Sequence, residues 1–253
     1  MGVSDITKQR YALIQAILNY FKTYNPRADF LSIIFNKDEI EKSDIRHIEQ
    51  ALKNIKSKNA IVLIDGNGGD TNAGQILSLI LRMKFSNGYS TIVPNKAYSA
   101  LVFSVFFSNA LLICDSSYLG PIDPLFRYKG RIYKAAITTH SPDAEISKRS
   151  KKYLESTLRF VWYIFDYPLS LILDINNFDV DRMEMFINKF IKEQHDKPIF
   201  KKDMEAIGLN CLSYADDDPL WIKIKKYYNL SIQEMESQQA RVLIETSKST
   251  TFI

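Results

Sequence analysis

The apolar positions of this chain change period several times, and the changes mark out elements. Ile45, Ile48, Leu52 and Ile55 recur at helical spacing, with Ser43 as a candidate cap for a helix that runs to Ser57. AIVLI (60–64) is a short unbroken apolar run, the pattern of a strand covered on both faces. After it Ala73, Ile76, Leu77, Ile80 and Leu81 follow the i, i+3, i+4, i+7 rule of an amphipathic helix. FLSIIF (30–35), STIVP (90–94) and ALLIC (110–114) read as further strands, and 98–108 as a helix between the last two. A first helix is expected over about 6–21 and later ones over 145–166, 179–195 and 201–207, the last ending at Gly208 in a left-handed cap. Strands and helices that alternate with short connections predict an α/β fold with a parallel sheet and right-handed crossovers.

The expected organisation is one domain over 1–228 with an N-terminal helix and C-terminal helices, because no Pro/Gly/Ser-rich linker divides the chain. Residues 229–253 look polar and are expected to form a tail or an oligomer contact. Hydrophobic content of 46% and charged content of 25% are ordinary for a globular protein, and a net charge of +4 spread along the chain argues against nucleic acid as a partner. Cys114 and Cys211 lack any CxxC spacing and read as reduced thiols. With three histidines in the chain, no metal centre is implied. The uncharged stretch 97–114 has the length of a short membrane span. Its serines and its place in the α/β alternation favour a buried helix running into a buried strand. No basic region followed by an apolar signal segment opens the sequence, so the expected location is cytoplasmic.

The candidate chemistry starts where the apolar run stops. Asp65 is followed by Gly66, Asn67, Gly68 and Gly69, and then the helix begins. A P-loop requires a Gly-Lys pair that is missing here, and a dinucleotide fingerprint requires a third glycine where Thr71 stands. No nucleotide cofactor is therefore expected. What remains is a tight turn, or an oxyanion hole in which free N–H groups beside a helix N-terminus receive a substrate carbonyl oxygen. A nucleophile would then be expected at a neighbouring strand–helix junction, on the same carboxyl edge of the sheet. Ser99 stands there, in NKAYSALVF.

With those residues in view, the chain resembles the Clp protease/crotonase superfamily, and within it the serine dehydrogenase proteinase family, relatives of the signal peptide peptidases. The resemblance rests on IVLIDGNGGDTNAGQILSLILR, VPNKAYSALVF, SSYLGPIDP and HDKPIFKKDMEAIGLN, and spans roughly residues 30 to 212. It implies stacked ββα units of the Clp/crotonase type and hydrolysis of a peptide or protein substrate through an acyl-enzyme at Ser99. The oxyanion hole would be made by the amides of Gly69 and Ala100, with Gly68 beside them, and Gly120, Pro121 and Asp123 would shape the pocket wall. A homo-oligomer is expected. Two positions depart from the family pattern: Gly66-Asn67 replaces a Thr-Pro or Ser-Pro, and Leu101 stands where glycine is usual. A leucine there is expected to crowd the acyl pocket or alter the turn.

The base that would activate Ser99 has several candidates. His195 precedes Asp196 in a segment that resembles the one from which Clp proteases supply their acidic triad member, and its pKa suits the role. The alternative for His195 is a charge at the end of a helix. Lys134 and Lys151 are the lysine candidates, of which Lys134 has the more apolar neighbours. Asp123 would hold a loop or orient a base, and His140 reads as loop. Two rival readings share the fold: a scaffold in which Leu101 blocks turnover, and crotonase-like chemistry on an acyl thioester.

Overall fold

The computed structural model describes residues 4–122, 177–191, 193 and 196–253, together with the backbone alone of 125–128 and 131–134. The candidate helix 145–166 lies outside the described residues, as do Lys151 and His140.

The chain begins with helix α1 (Asp5–Phe21), capped by Ser4, whose hydroxyl accepts the Thr7 N–H at 3.0 Å. There follow β1 (Asp29–Phe35), α2 (Lys42–Lys53), β2 (Ala60–Asp65), α3 (Thr71–Lys84), β3 (Tyr89–Ile92) and the short β4 (Lys96–Ala97). A 3-10 turn over Ser99–Leu101 leads into α4 (Val102–Phe106), β5 (Ala110–Cys114) and β6 (Tyr118–Leu119). After the hairpin β7 (Leu125–Tyr128) and β8 (Arg131–Lys134) come α5 (Val180–Phe186), β9 (Ile199–Phe200), α6 (Lys201–Ile207) and β10 (Cys211–Tyr214). The last elements are α7 (Pro219–Ser237), β11 (Val242–Thr246) and β12 (Thr250–Phe252).

Seven strands form the main sheet in the order β10-β5-β3-β2-β1-β11-β12. The five from β10 to β1 are parallel to one another, and β11 and β12 are added antiparallel. Alternation along each strand sends successive side chains to opposite faces. Val62 and Ile64 of β2 therefore join the core under α2, α3 and α4, while Ile61 and Leu63 join the core under α1 and α7. Both faces are covered, which is why β2 reads as an unbroken apolar run.

Three expectations are corrected. The 98–108 helix is a 3-10 turn followed by one and a half turns of α-helix. The 179–195 helix is α-helical only to Phe186, and a wider π-type turn takes over Ile187–Ile191. The tail expected over 229–253 is largely folded: position 228 falls inside α7, and β11 is buried at all five positions between β1 and β12. The one charged residue of β11 is Glu245, a fully buried side chain that is neutralised within the fold. Arg10 of α1 donates to it from Nε at 3.0 Å and from Nη2 at 2.9 Å, and the Tyr227 hydroxyl donates at 2.7 Å. Arg10 also pairs with Glu234 of α7, so one guanidinium serves two carboxylates. The end of helix 201–207 is as expected, with Gly208 at φ 84°.

Candidate active site

The strand β2 runs straight into the glycine turn, and the serine strand is laid alongside it. The Gly66 N–H donates to the Lys96 carbonyl at 3.1 Å, and the Tyr98 N–H returns to the Gly66 carbonyl at 3.2 Å. This parallel bridge carries β4 on from the end of β2, and β6 and β9 continue it as a three-stranded sheet. Ser99 is the second residue after β4, at the carboxyl edge where the main-sheet loops also emerge.

Gly68 and Gly69 answer two demands at once. Both have positive φ, 96° and 131°, backbone that side-chain-bearing residues seldom adopt. Both are also approached by the chain itself. A Cβ on Gly68 would stand 2.7 Å from Ser99 Cβ and from the Tyr98 carbonyl, and one on Gly69 would stand 2.5 Å from the Ile40 carbonyl. What comes close to the bare backbone is thus the serine turn on one side and the strand-to-helix loop before α2 on the other. That loop is pinned by hydrogen bonds from the Ile40 N–H to the Gly68 carbonyl (2.6 Å) and from the Asp70 N–H to the Ile40 carbonyl (2.9 Å). Asp70 in turn caps α3, accepting the Ala73 N–H at 2.8 Å.

Ser99 has φ 47°, in the left-handed region. A non-glycine residue held there is strained by about 1–2 kcal/mol. The Leu101 N–H closes the turn on the Tyr98 carbonyl at 3.0 Å. Ser99 is half-buried, and its hydroxyl makes no hydrogen bond to another described residue. The N–H groups of Gly69 and Ala100 likewise donate to no acceptor among the described residues. A strained serine and two free amides therefore stand on adjoining turns.

Leu101 is fully buried, and its Cδ1 would lie 2.8 Å from a Cβ on Gly66. The leucine occupies space that the missing side chain at position 66 leaves. The two departures from the family pattern are thus one packing arrangement. Gly120 is buried beneath the Tyr98 ring, with its N–H on the Ala97 carbonyl at 2.8 Å, and Pro121 is buried beside it.

Of the base candidates, His195 and Asp123 lie outside the described residues, and Lys134 is described only as backbone at the end of β8. The segment after His195 is in place: the Tyr98 hydroxyl reaches the Asp196 carbonyl at 3.4 Å, and β9 pairs antiparallel with β6. Among the described residues no group of His, Cys, Asp and Glu is arranged to hold a metal ion, and no helix is long and apolar enough to cross a membrane.

The sequence alone does not single out Asp65. Its only signal was a carboxylate at the end of an otherwise apolar run. Burial pushes its carboxyl up to about 6, against hydrogen bonds from the Lys96 N–H and the Tyr228 hydroxyl and the charges of Lys96 and Lys225, which pull it down. Burial also raises the Tyr98 phenol, with Tyr118 and Asp196 adding to the shift. The Cys211 thiol is pushed up to about 12 by burial and by Glu205, and both cysteines are free.

No protein-family model matches this sequence, and no curated protein matches it. Solved structures match in fold. A mutant of 1510-N, a membrane-bound stomatin-specific protease, aligns over 78% of this chain and 84% of its own, at 12% identity and a TM-score of 0.50. A ClpP1 mutant from Listeria monocytogenes aligns over 82% of this chain and 99% of its own, at 11% identity and a TM-score of 0.45. The ClpP protease catalytic domain from Plasmodium falciparum covers 87% of this chain and 97% of its own, at 18% identity and a TM-score of 0.41. At 12% identity the likeness to the 1510-N protease is one of architecture, a mixed α/β fold built on a mainly parallel sheet.

Proposed function

We propose that the chain is a serine peptidase of the Clp type, related to the serine dehydrogenase proteinase family, that cleaves a peptide or protein substrate through an acyl-enzyme at Ser99. The observation that carries the reading is a strained Ser99 beside the Ala100 amide of its own turn and the Gly69 amide of the adjoining one, none of them hydrogen-bonded among the described residues. In this mechanism Ser99 Oγ attacks the scissile carbonyl carbon and passes its proton to the base. The two amides hold the oxyanion of the tetrahedral intermediate, where one such donor is worth about 2.7–4 kcal/mol. Collapse expels the amine, which takes the proton from the base, and water then hydrolyses the ester by the same route in reverse. His195 is the base that the position of Asp196 beside Tyr98 favours, with Lys134 as the other candidate and Asp123 in a supporting role. Assembly as a homo-oligomer in the cytoplasm belongs to the same reading.

The scaffold alternative drew its force from Leu101. Burial of that side chain against Gly66 and the core, with the Ala100 N–H donating to no acceptor among the described residues, favours the peptidase reading over the scaffold. Crotonase-like chemistry has no observation of its own here.

Labelling of the folded protein with a fluorophosphonate, located by mass spectrometry, tests the proposal. Modification at Ser99 that disappears in Ser99→Ala and after heat denaturation supports it. A folded protein that stays unlabelled at Ser99 and hydrolyses no peptide refutes it.

A further inference from the structure

A buried carboxylate stands behind the serine turn and takes no part in the chemistry proposed above. Asp65 is the last residue of β2 and is 2% exposed. By alternation it points away from Val62 and Ile64, towards the face covered by α7. Its Oδ2 accepts the Lys96 N–H at 2.8 Å, and its Oδ1 accepts the Tyr228 hydroxyl from α7 at 3.0 Å.

The place of the first bond gives it meaning. The Gly66 N–H is bound to the Lys96 carbonyl, and the Gly66 carbonyl to the Tyr98 N–H. The Asp65 side chain binds the N–H of Lys96, the first residue of β4, and so adds one bond to this ladder. Three bonds in a row then fix the residues just before Ser99 against the strand that leads into Gly68 and Gly69. An apolar residue at 65 would pack with less penalty, since burial pushes this carboxyl up to about 6. The groups around it are the Lys96 ammonium, Lys225 and Tyr228 of α7, with Asn95 and Tyr118 acting in turn on the Tyr228 phenol. Several of them favour the carboxylate, and the acceptor geometry is what an apolar replacement would lose.

We propose that Asp65 is a positioning residue that holds the Ser99 turn in register with the Gly68–Gly69 amides through the Lys96 N–H. The proposal rests on the reading of Ser99 as the nucleophile, and two readouts separate the failure of one from the failure of the other. The first is the second-order rate of fluorophosphonate labelling at Ser99, normalised to folded protein. The second is hydrogen–deuterium exchange in the peptide covering residues 95–101, which needs no activity.

In the full chain Asp65→Ala is expected to slow labelling at least about tenfold and to speed exchange of the 95–98 amides by a similar factor. Asp65→Leu, with the same branching and without an acceptor, makes the same test in a chain that keeps its core filled. Asp65→Asn retains a carbonyl for the Lys96 N–H and offers an amide to the Tyr228 oxygen, so it restores both readouts to within about threefold of wild type. A purely structural role predicts a lower melting point with an unchanged labelling rate per folded molecule, and that result overturns the proposal. So does unchanged exchange in the alanine and leucine variants. Faster exchange in a protein whose wild-type Ser99 never labels keeps the positioning of the turn and rejects the nucleophile.

Discussion

Leu101 and Gly66 provide a quantitative check on the packing behind the Ser99 turn. A Cβ on Gly66 would lie 2.8 Å from Leu101 Cδ1, 2.9 Å from Phe35 Cβ and 3.2 Å from Phe35 Cδ2. Leu101 and Phe35 belong to one core, at 0% and 2% exposure. Gly66→Ala therefore overpacks a closed site, at a cost of about 1–3 kcal/mol. Leu101→Ala deletes a fully buried side chain and costs about 2–5 kcal/mol. In the double variant the added methyl enters the space that Leu101 Cδ1 has left, while the Phe35 contact persists. Gly66→Ala should then cost about 1 kcal/mol less than in the wild-type background, a coupling within the range for residues in contact. Urea unfolding of the four proteins, followed by circular dichroism, measures this. Additivity within about 0.5 kcal/mol would show that the two positions do not share space, and the account of Leu101 as a filler would fall. The same geometry predicts that Leu101→Gly gains no labelling at Ser99.

Other variants probe separate parts of the fold. The folded Asp65 carboxyl, raised to about 6, binds its proton more tightly than the unfolded one at 3.8, so it contributes stability at low pH that is lost as pH rises from about 4 through 6. The loss amounts to about 3 kcal/mol. The stability of Asp65→Asn minus that of wild type should rise by about that amount between pH 4 and pH 7 in urea titrations, and a flat difference would refute the raised pKa. Ser99→Gly relieves a left-handed backbone at φ 47° and should be more stable than Ser99→Ala by up to about 1 kcal/mol, with labelling abolished in both. Equal melting points would mean that the turn is unstrained. Arg10→Met leaves Glu245 and Glu234 as uncompensated buried carboxylates and should destabilise by about 3–5 kcal/mol at pH 7. A loss below about 1 kcal/mol would show that water reaches them.

The parallel core was legible because its signals are local. Ala60 to Ile64 and Leu111 to Ile113 are apolar runs of strand length, and the glycines that follow Asp65 are punctuation between strand and helix. Ser99 is singled out by its place at the next such junction. What stayed hidden depends on partners far along the chain. β11 ends in Glu245 and Thr246 and reads as polar until Arg10 is known to meet it. The role proposed for Asp65 appears only when its donors, the Lys96 N–H and the Tyr228 hydroxyl, are seen. Gly66 and Leu101 are 35 positions apart, and no pattern in either neighbourhood says that one fills the other's space.

The arrangement around β11 also bears on how this molecule reaches its native state. β1 pairs with β2 on one side, and on the other with a strand that begins at Val242. During synthesis the flank of β1 that awaits β11 stays open until more than two hundred further residues have been made, an exposed ledge of the kind that recruits other chains. Arg10 meets Glu245 across 235 positions, so α1 cannot lock until the same moment. Contacts of such long range slow folding and extend the interval of risk. This chain is expected to complete its sheet late, with a dependence on chaperones during that interval that the sheet's middle strands alone would not require.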